Sequence, residues 1–180
     1  IRLLISLNQI MRSILTPLFI LFACLTLVHA DQKSKFLEAM RKAERGDAKS
    51  QCFVGICYEL GKGVLKDPKK SFEWYMKSAK QGNIDGQWGV GNCYFYGQGV
   101  LKNPIKGFEW HMRSAKQGDA SSQWSVGSCY ISGEGVLQDP KKGFEWYMKS
   151  AEQGEAQAQN FVGLCYTQGI GVLKDTKKGF

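Results

Sequence analysis

Cysteines stand at 57, 93, 129 and 165, one every 36 residues, and a tyrosine follows each of them. Thiols at a constant interval admit three readings: a disulfide ladder, a thiolate metal site, or small apolar side chains in a repeated core. For the ladder, bridged Cα atoms must lie within roughly 7 Å, whereas equivalent positions on neighbouring packed helices lie about 8–10 Å apart or more. Cys52 and Cys57 are five residues apart on one helical pattern and do not face each other. Zinc chemistry wants a C-x-x-C pair or a nearby histidine partner, and the sequence offers neither, so no metal ligand is assigned. Buried thiols acting as small apolar groups are the favoured reading. An odd number of cysteines after residue 30 (52, 57, 93, 129 and 165) sits awkwardly with it in an oxidising compartment. The sole histidine after residue 30 is His111, in the slot that Tyr75 and Tyr147 fill one period away. A catalytic base needs a nucleophile and an orienting group within reach. None is nominated here, so His111 reads as an aromatic replacement, with no catalytic residue and no cofactor.

These residues are held in a repeat. "KSFEWYMKSAKQG" at 70–82 returns as "KGFEWHMRSAKQG" at 106–118 and "KGFEWYMKSAEQG" at 142–154. Units can be drawn at 46–81, 82–117, 118–153 and a shorter 154–180, behind a half-unit "SKFLEAMRKAERG"; the second and third share 21 of 36 residues. Each unit carries two helical patterns. The second opens on Asp67, Asn103, Asp139 or Asp175, short side chains that cap orphan backbone N–H groups. Pro68, Pro104 and Pro140 follow at the first helical position, where the missing N–H costs little, and Thr176 breaks that series. Phe72, Met76 and Ala79 then form an apolar stripe, and Gly82, Gly118 and Gly154 close the helices. On the first pattern, Val126, Cys129 and Tyr130 and their equivalents make the core-facing stripe. Gly55, Gly91, Gly127 and Gly163 sit mid-helix, where glycine costs about 1 kcal/mol against alanine. Repeating that cost implies close helix–helix approach. The G-x-G-V links between the patterns are turn glycines, since no strand signal precedes them as a phosphate-binding loop would require.

The ends call for separate reading. The chain opens at Ile1 and stops at Phe180 inside the repeated phrase, so a fragment or a shifted reading frame is expected. Met11-Arg12, the apolar run "SILTPLFILFACLTLV" and "VHA" at 28–30 read as a secretory signal peptide over 11–30, with 1–10 as an upstream extension. The run contains Pro17 and is shorter than the roughly 20 residues that span a bilayer. "LFAC" at 21–24 resembles an acylation box, but the apolar residues after Cys24 favour simple cleavage. A mature chain from Asp31 loses Arg2 and Arg12 from 24 basic residues, leaving 22 against 16 acidic, a net +6. Its lysines are scattered in register through the repeats, not gathered into the stripe that nucleic acid wants. No nucleic acid and no stable membrane span are expected.

The pattern "AxxQxxVGxCYxxGxGVxxDPxKxFEWYxKSAxQG" resembles the Sel-1-like repeat family, relatives of the tetratricopeptide repeats, over about residues 34–180. The resemblance implies an all-α fold: antiparallel helix pairs stacked into a right-handed superhelical solenoid that serves as a protein-interaction scaffold. Stacking agrees with the physics, because a lone helix pair cannot bury its apolar faces. A cysteine-rich branch of that family has disulfide-linked pairs with two cysteines per unit; this sequence has one, so that framework is not carried over. If first helices line the concave face, as the resemblance implies, their variable stripe faces the groove: Trp88, Asn92, Tyr96, Trp124 and Ser128. Tryptophan and tyrosine often dominate binding energy, and they also stack on sugars, which admits a glycan beside a protein or peptide partner. Trp88 and Trp124 equally fit inter-repeat packing, while Trp74, Trp110 and Trp146 read as structural. Two functions stand: an exported, periplasmic or secreted bacterial scaffold binding a partner in its groove, or an envelope enzyme of the cysteine-rich type with weak β-lactam-related activity. The penicillin-recognising serine motifs S-x-x-K and K-T-G are both missing, which favours the scaffold.

Overall fold

The computed structural model describes residues 27–179, and among them it holds eight helices and no strand. The signal-peptide reading falls largely outside the described residues; 27–30 are helical and run without a break into the first helix, α1 (27–44). Seven helices of equal length follow: α2 (Ala48–Leu60), α3 (Pro68–Lys80), α4 (Ile84–Tyr96), α5 (Pro104–Lys116), α6 (Ala120–Ser132), α7 (Pro140–Glu152) and α8 (Ala156–Gln168). Each packs on the next, and α2 also touches α4. The architecture is an all-α superhelical solenoid of stacked helix pairs. Residues 176–179 form a turn.

The helix boundaries follow from local chemistry. Asp67, Asn103 and Asp139 each accept a hydrogen bond from the backbone N–H three residues on, at 3.0–3.1 Å, with proline next in line. The first helices have caps that the sequence reading did not single out: Asp47, Asn83 and Asp119, at 2.7–2.8 Å. Gly61, Gly97, Gly133 and Gly169 take left-handed φ at the helix ends. A second glycine in each link sets the stacking, because a Cβ on Gly63, Gly99, Gly135 or Gly171 would overlap the carbonyl of Gln32, Pro68, Pro104 or Pro140. The links at Gly99, Gly135 and Gly171 therefore rest on the first turn of the preceding unit's second helix, and the link at Gly63 rests on α1 at Gln32.

The mid-helix glycines do mark close approach. A Cβ on Gly55 would stand 2.7 Å from the Tyr75 ring, and one on Gly127 would stand 2.7 Å from Tyr147. The buried face of the second helix is rotated from the expected stripe. Ala79 is buried, but Phe72 and Met76 are only partly so; Ser71, Tyr75 and Ser78 lie deeper. The reason is hydrogen bonding. Ser71 Oγ donates to the Gly55 carbonyl, and Ser78, Ser114 and Ser150 donate to the carbonyls of Ala48, Ile84 and Ala120. A glutamine spine adds to this: Gln81, Gln117 and Gln153 donate to Gln51, Gln87 and Gln123 at 2.7–2.8 Å, and Gln51 reaches back to Ala43. Buried polar groups so paired tie each helix to its neighbour in one register.

The five described cysteines are unpaired and buried. Trp74 and Trp110 pack against the core, and Lys77, Arg113 and Lys149 lie over Trp74, Trp110 and Trp146 at 3.7, 4.4 and 4.2 Å from the ring centroids. These tryptophans are half-buried packing groups with a cation on the outer face.

Candidate functional site

The first helices α4 and α6 present their variable faces side by side. A cavity of about 140 Å³ is lined by Asn92, Phe95 and Tyr96 of α4, His111 of α5, and Trp124, Ser128 and Cys129 of α6, among others. A neighbouring cavity of about 370 Å³ adds Trp88 of α4, Ser121 of α6, and Glu155 and Gln157 at the start of α8. The two share Asn92, Tyr96, Trp124 and Ser125. All five sequence-nominated groove residues therefore come together across the α4–α6 face. Trp88 is 39% and Tyr96 74% exposed, while Asn92, Trp124 and Ser128 are half-buried. Trp124 lines the two cavities, and its Nε1 is buried and makes no hydrogen bond.

His111 forms part of the floor. It is buried at 3% exposure, stacks 5.1 Å from Phe95, and has Nε2 3.2 Å from Asn92 Oδ1. Gly91 makes room for it, as a Cβ there would overlap the imidazole. Burial pulls the imidazole down to about 4, against a smaller upward pull from the Trp88 backbone and Asp119. Nδ1 is buried and makes no hydrogen bond. Cys129 lines the same cavity, and burial pushes its thiol up to about 12. At neutral pH the two are thus a thiol and a neutral imidazole, the reverse of an activated cysteine–histidine pair. Tyr147 fills the equivalent slot one unit on; burial raises its phenol above the ordinary value, and the facing Ser128 hydroxyl partly offsets this.

The sequence reading missed the acidic rim. Glu134 and Glu155 line the cavities, and no lysine or arginine does, although the chain as a whole carries +8. Glu155 occupies the N-cap position of α8 without making the side-chain cap that Asp47, Asn83 and Asp119 make. The signal was available in that substitution of a longer acid for a short capping residue. Glu134 is ion-paired with Lys102 at 3.3 Å. Among the described residues, no group of three His, Cys, Asp or Glu side chains converges as a metal set. No helix there is long and apolar enough to cross a membrane.

No curated protein sequence matches the chain. Solved structures do. A protective antigen present in uropathogenic Escherichia coli strains, displaying an SLR fold, is 32% identical with a TM-score of 0.77 over 80% of this chain and 31% of that one. A Sel1 repeat protein from Oxalobacter formigenes is 31% identical with a TM-score of 0.76 over 80% of this chain and 57% of the other. The chain thus spans about a third of the first and just over half of the second. Cysteine rich protein B of Helicobacter pylori, 17% identical with a TM-score of 0.58, shares the fold over 70% of this chain and 93% of its own. The family described as "Sel1 repeat" matches at residues 48–83, 84–119, 120–155 and 156–180. Its helical-repeat fold commonly mediates protein–protein interaction. On these four successive matches, together with the stacked helix pairs, the chain belongs to the Sel1 repeat family.

Proposed function

We propose that this protein is an exported scaffold that binds a partner protein or peptide in the groove formed by α4 and α6. The observation that carries the reading is the pair of adjoining cavities that share Asn92, Tyr96, Trp124 and Ser125 and are flanked by the exposed Trp88. Large aromatic groups that stay accessible beside a recess are the anchors that interfaces use. The acidic rim refines the partner: a segment bearing a basic side chain meets Glu155 and the faces of Trp88 and Tyr96. A glycan stacking on the same rings is the other ligand class this surface admits. Export rests on the apolar segment before Asp31 alone.

The test is affinity capture from envelope and culture-medium extracts with the wild-type chain, a Trp88→Ala/Trp124→Ala variant and a Tyr96→Ala variant. The Tyr96 side chain is exposed, so its truncation leaves the fold intact. We expect one or more partners retained by the wild type and reduced at least tenfold by both variants, with melting unchanged for Tyr96→Ala. Equal retention by all three chains contradicts the site. A double variant that unfolds while Tyr96→Ala still binds fully assigns the tryptophans to packing.

A further inference from the structure

The edge opposite in character to the groove is made by the links between paired helices. These links, at 61–67, 97–103, 133–139 and 169–175, lie on one edge because each rests on the helix one unit back, the first on α1 at Gln32 and the others on the first turn of α3, α5 and α7. Lys102 and Glu134, from adjacent links, meet at 3.3 Å. Every link contains Gly-Val-Leu, and its two apolar residues part company. Val64 and Val100 are half-buried and pack on the core. The leucines turn away: Leu65, Leu101, Leu137 and Leu173 are 88–89% exposed. Ile105, at the start of α5, adds a fifth apolar group at 62% exposure.

A leucine this exposed adds nothing to folding, since apolar surface stabilises only when it leaves water. Single exposed leucines are ordinary, whereas one at the same place in each of four successive links, all on one edge, marks an interaction surface. Charge identifies the partner. The four stretches 61–70, 97–106, 133–142 and 169–178 together hold eleven basic and four acidic residues, a net +7 out of +8 for the whole chain, so lysines that are scattered in the sequence gather on one edge once the units stack. All four acids are engaged, Asp67, Asp139 and Asp175 by Lys70, Lys142 and Lys178, and Glu134 by Lys102. Lysine follows the leucine directly at Lys66, Lys102 and Lys174. Two such edges repel, which disfavours a second copy of the chain. Protruding leucines flanked by lysines match a surface that is anionic outside and apolar beneath. We propose that this edge docks peripherally on an anionic lipid bilayer, with the leucines entering the interface and the lysines facing the lipid phosphates. This is independent of the groove reading.

The test uses the full chain with Leu101→Cys carrying a nitrobenzoxadiazole label, the unsubstituted chain labelled in parallel as a blank, and Glu73→Cys on α3 as a control position. Because the label reports the depth of the edge itself, attachment through the N-terminal apolar segment does not mimic the signal. On vesicles of phosphatidylglycerol and phosphatidylcholine in equal parts, emission at 101 is expected to shift to the blue and brighten at least threefold. Vesicles of phosphatidylcholine alone, and the label at 73, should leave emission near its value in buffer. Adding Leu65→Ser, Leu137→Ser and Leu173→Ser should cut the response at 101 at least fivefold with the thermal melt unchanged, because these side chains are already in water. No response on anionic vesicles, an equal response on both vesicle types, or insensitivity to the serine replacements overturns the proposal. A response at 101 to a protein but not to lipid does so as well.

Discussion

Gly99→Ala is expected to weaken the protein by about 2–5 kcal/mol, while Gly97→Ala, two residues away, costs only about 1–2 kcal/mol. Both glycines have positive φ, +68° for Gly97 and +71° for Gly99, so alanine at either carries the left-handed backbone penalty of about 1–2 kcal/mol. Their surroundings differ. Around Gly97 a new Cβ meets nothing nearer than 3.5 Å, whereas at Gly99 it would overlap the Pro68 carbonyl of the unit before. Backbone on both sides cannot rotate away as a side chain can, so the link must lift from the neighbouring helix, and overpacking of this kind costs roughly a further 1–3 kcal/mol. In a stacked array that loss falls on a nearest-neighbour interface. The melting temperature of Gly99→Ala should drop by roughly 10 °C, using about 2–4 °C per kcal/mol for a chain of this size. Chemical denaturation followed by circular dichroism measures both variants. Equal destabilisation by the two would show that the links do not set the stacking.

The second large effect is a dependence of stability on pH that one side chain carries. His111 titrates at about 4 in the fold against 6.5 for the free side chain, because burial disfavours the imidazolium. Between those values the unfolded chain binds a proton that the folded chain does not, so stability is complete above pH 6.5 and falls as pH drops towards 4. The shift corresponds to about 3 kcal/mol. The capping carboxylates are held below their ordinary value, Asp47 by the side chain and then the backbone N–H of Ser50, Asp139 by the backbone N–H and then the ammonium of Lys142, and they weaken the fold only at lower pH, as they protonate. His111→Tyr, which restores the residue carried by the units on either side, should flatten the stability profile between pH 6.5 and 4.5. A wild-type profile without that slope, or a variant that keeps it, contradicts the burial account of His111.

Much of the fold was legible because it is written in residues with one conformational use. Asp-Pro announces a helix start, Gly-x-Gly a turn between helices, and the 36-residue recurrence a stack. The polar interior was not legible. Gln51, Ser78 and their equivalents look like surface residues in a sequence, and only the packed structure shows the backbone carbonyls that accept from them. For the same reason the buried stripe of the second helix was misplaced: its most buried positions include serine. At the groove, spacing at i, i+4 and i+8 was enough to collect Trp88, Asn92 and Tyr96 on one face of α4. The contribution of α8 was harder to read: its one signal is a longer acid, Glu155, where the other first helices carry a short capping residue, and that acid acquires its place on the rim only when the next unit stacks.

That the α4–α6 groove, and not the outer face, receives the partner is tested most directly by photo-crosslinking from single positions. Benzoylphenylalanine in place of Tyr96 samples the groove, and in place of Glu73 it samples the exposed side of α3. In envelope and medium extracts we expect a discrete adduct from position 96 that is lost when Trp88→Ala is added, and none from position 73. An adduct from position 73 alone, or one from 96 that survives Trp88→Ala unchanged, would place the partner elsewhere and contradict the assignment.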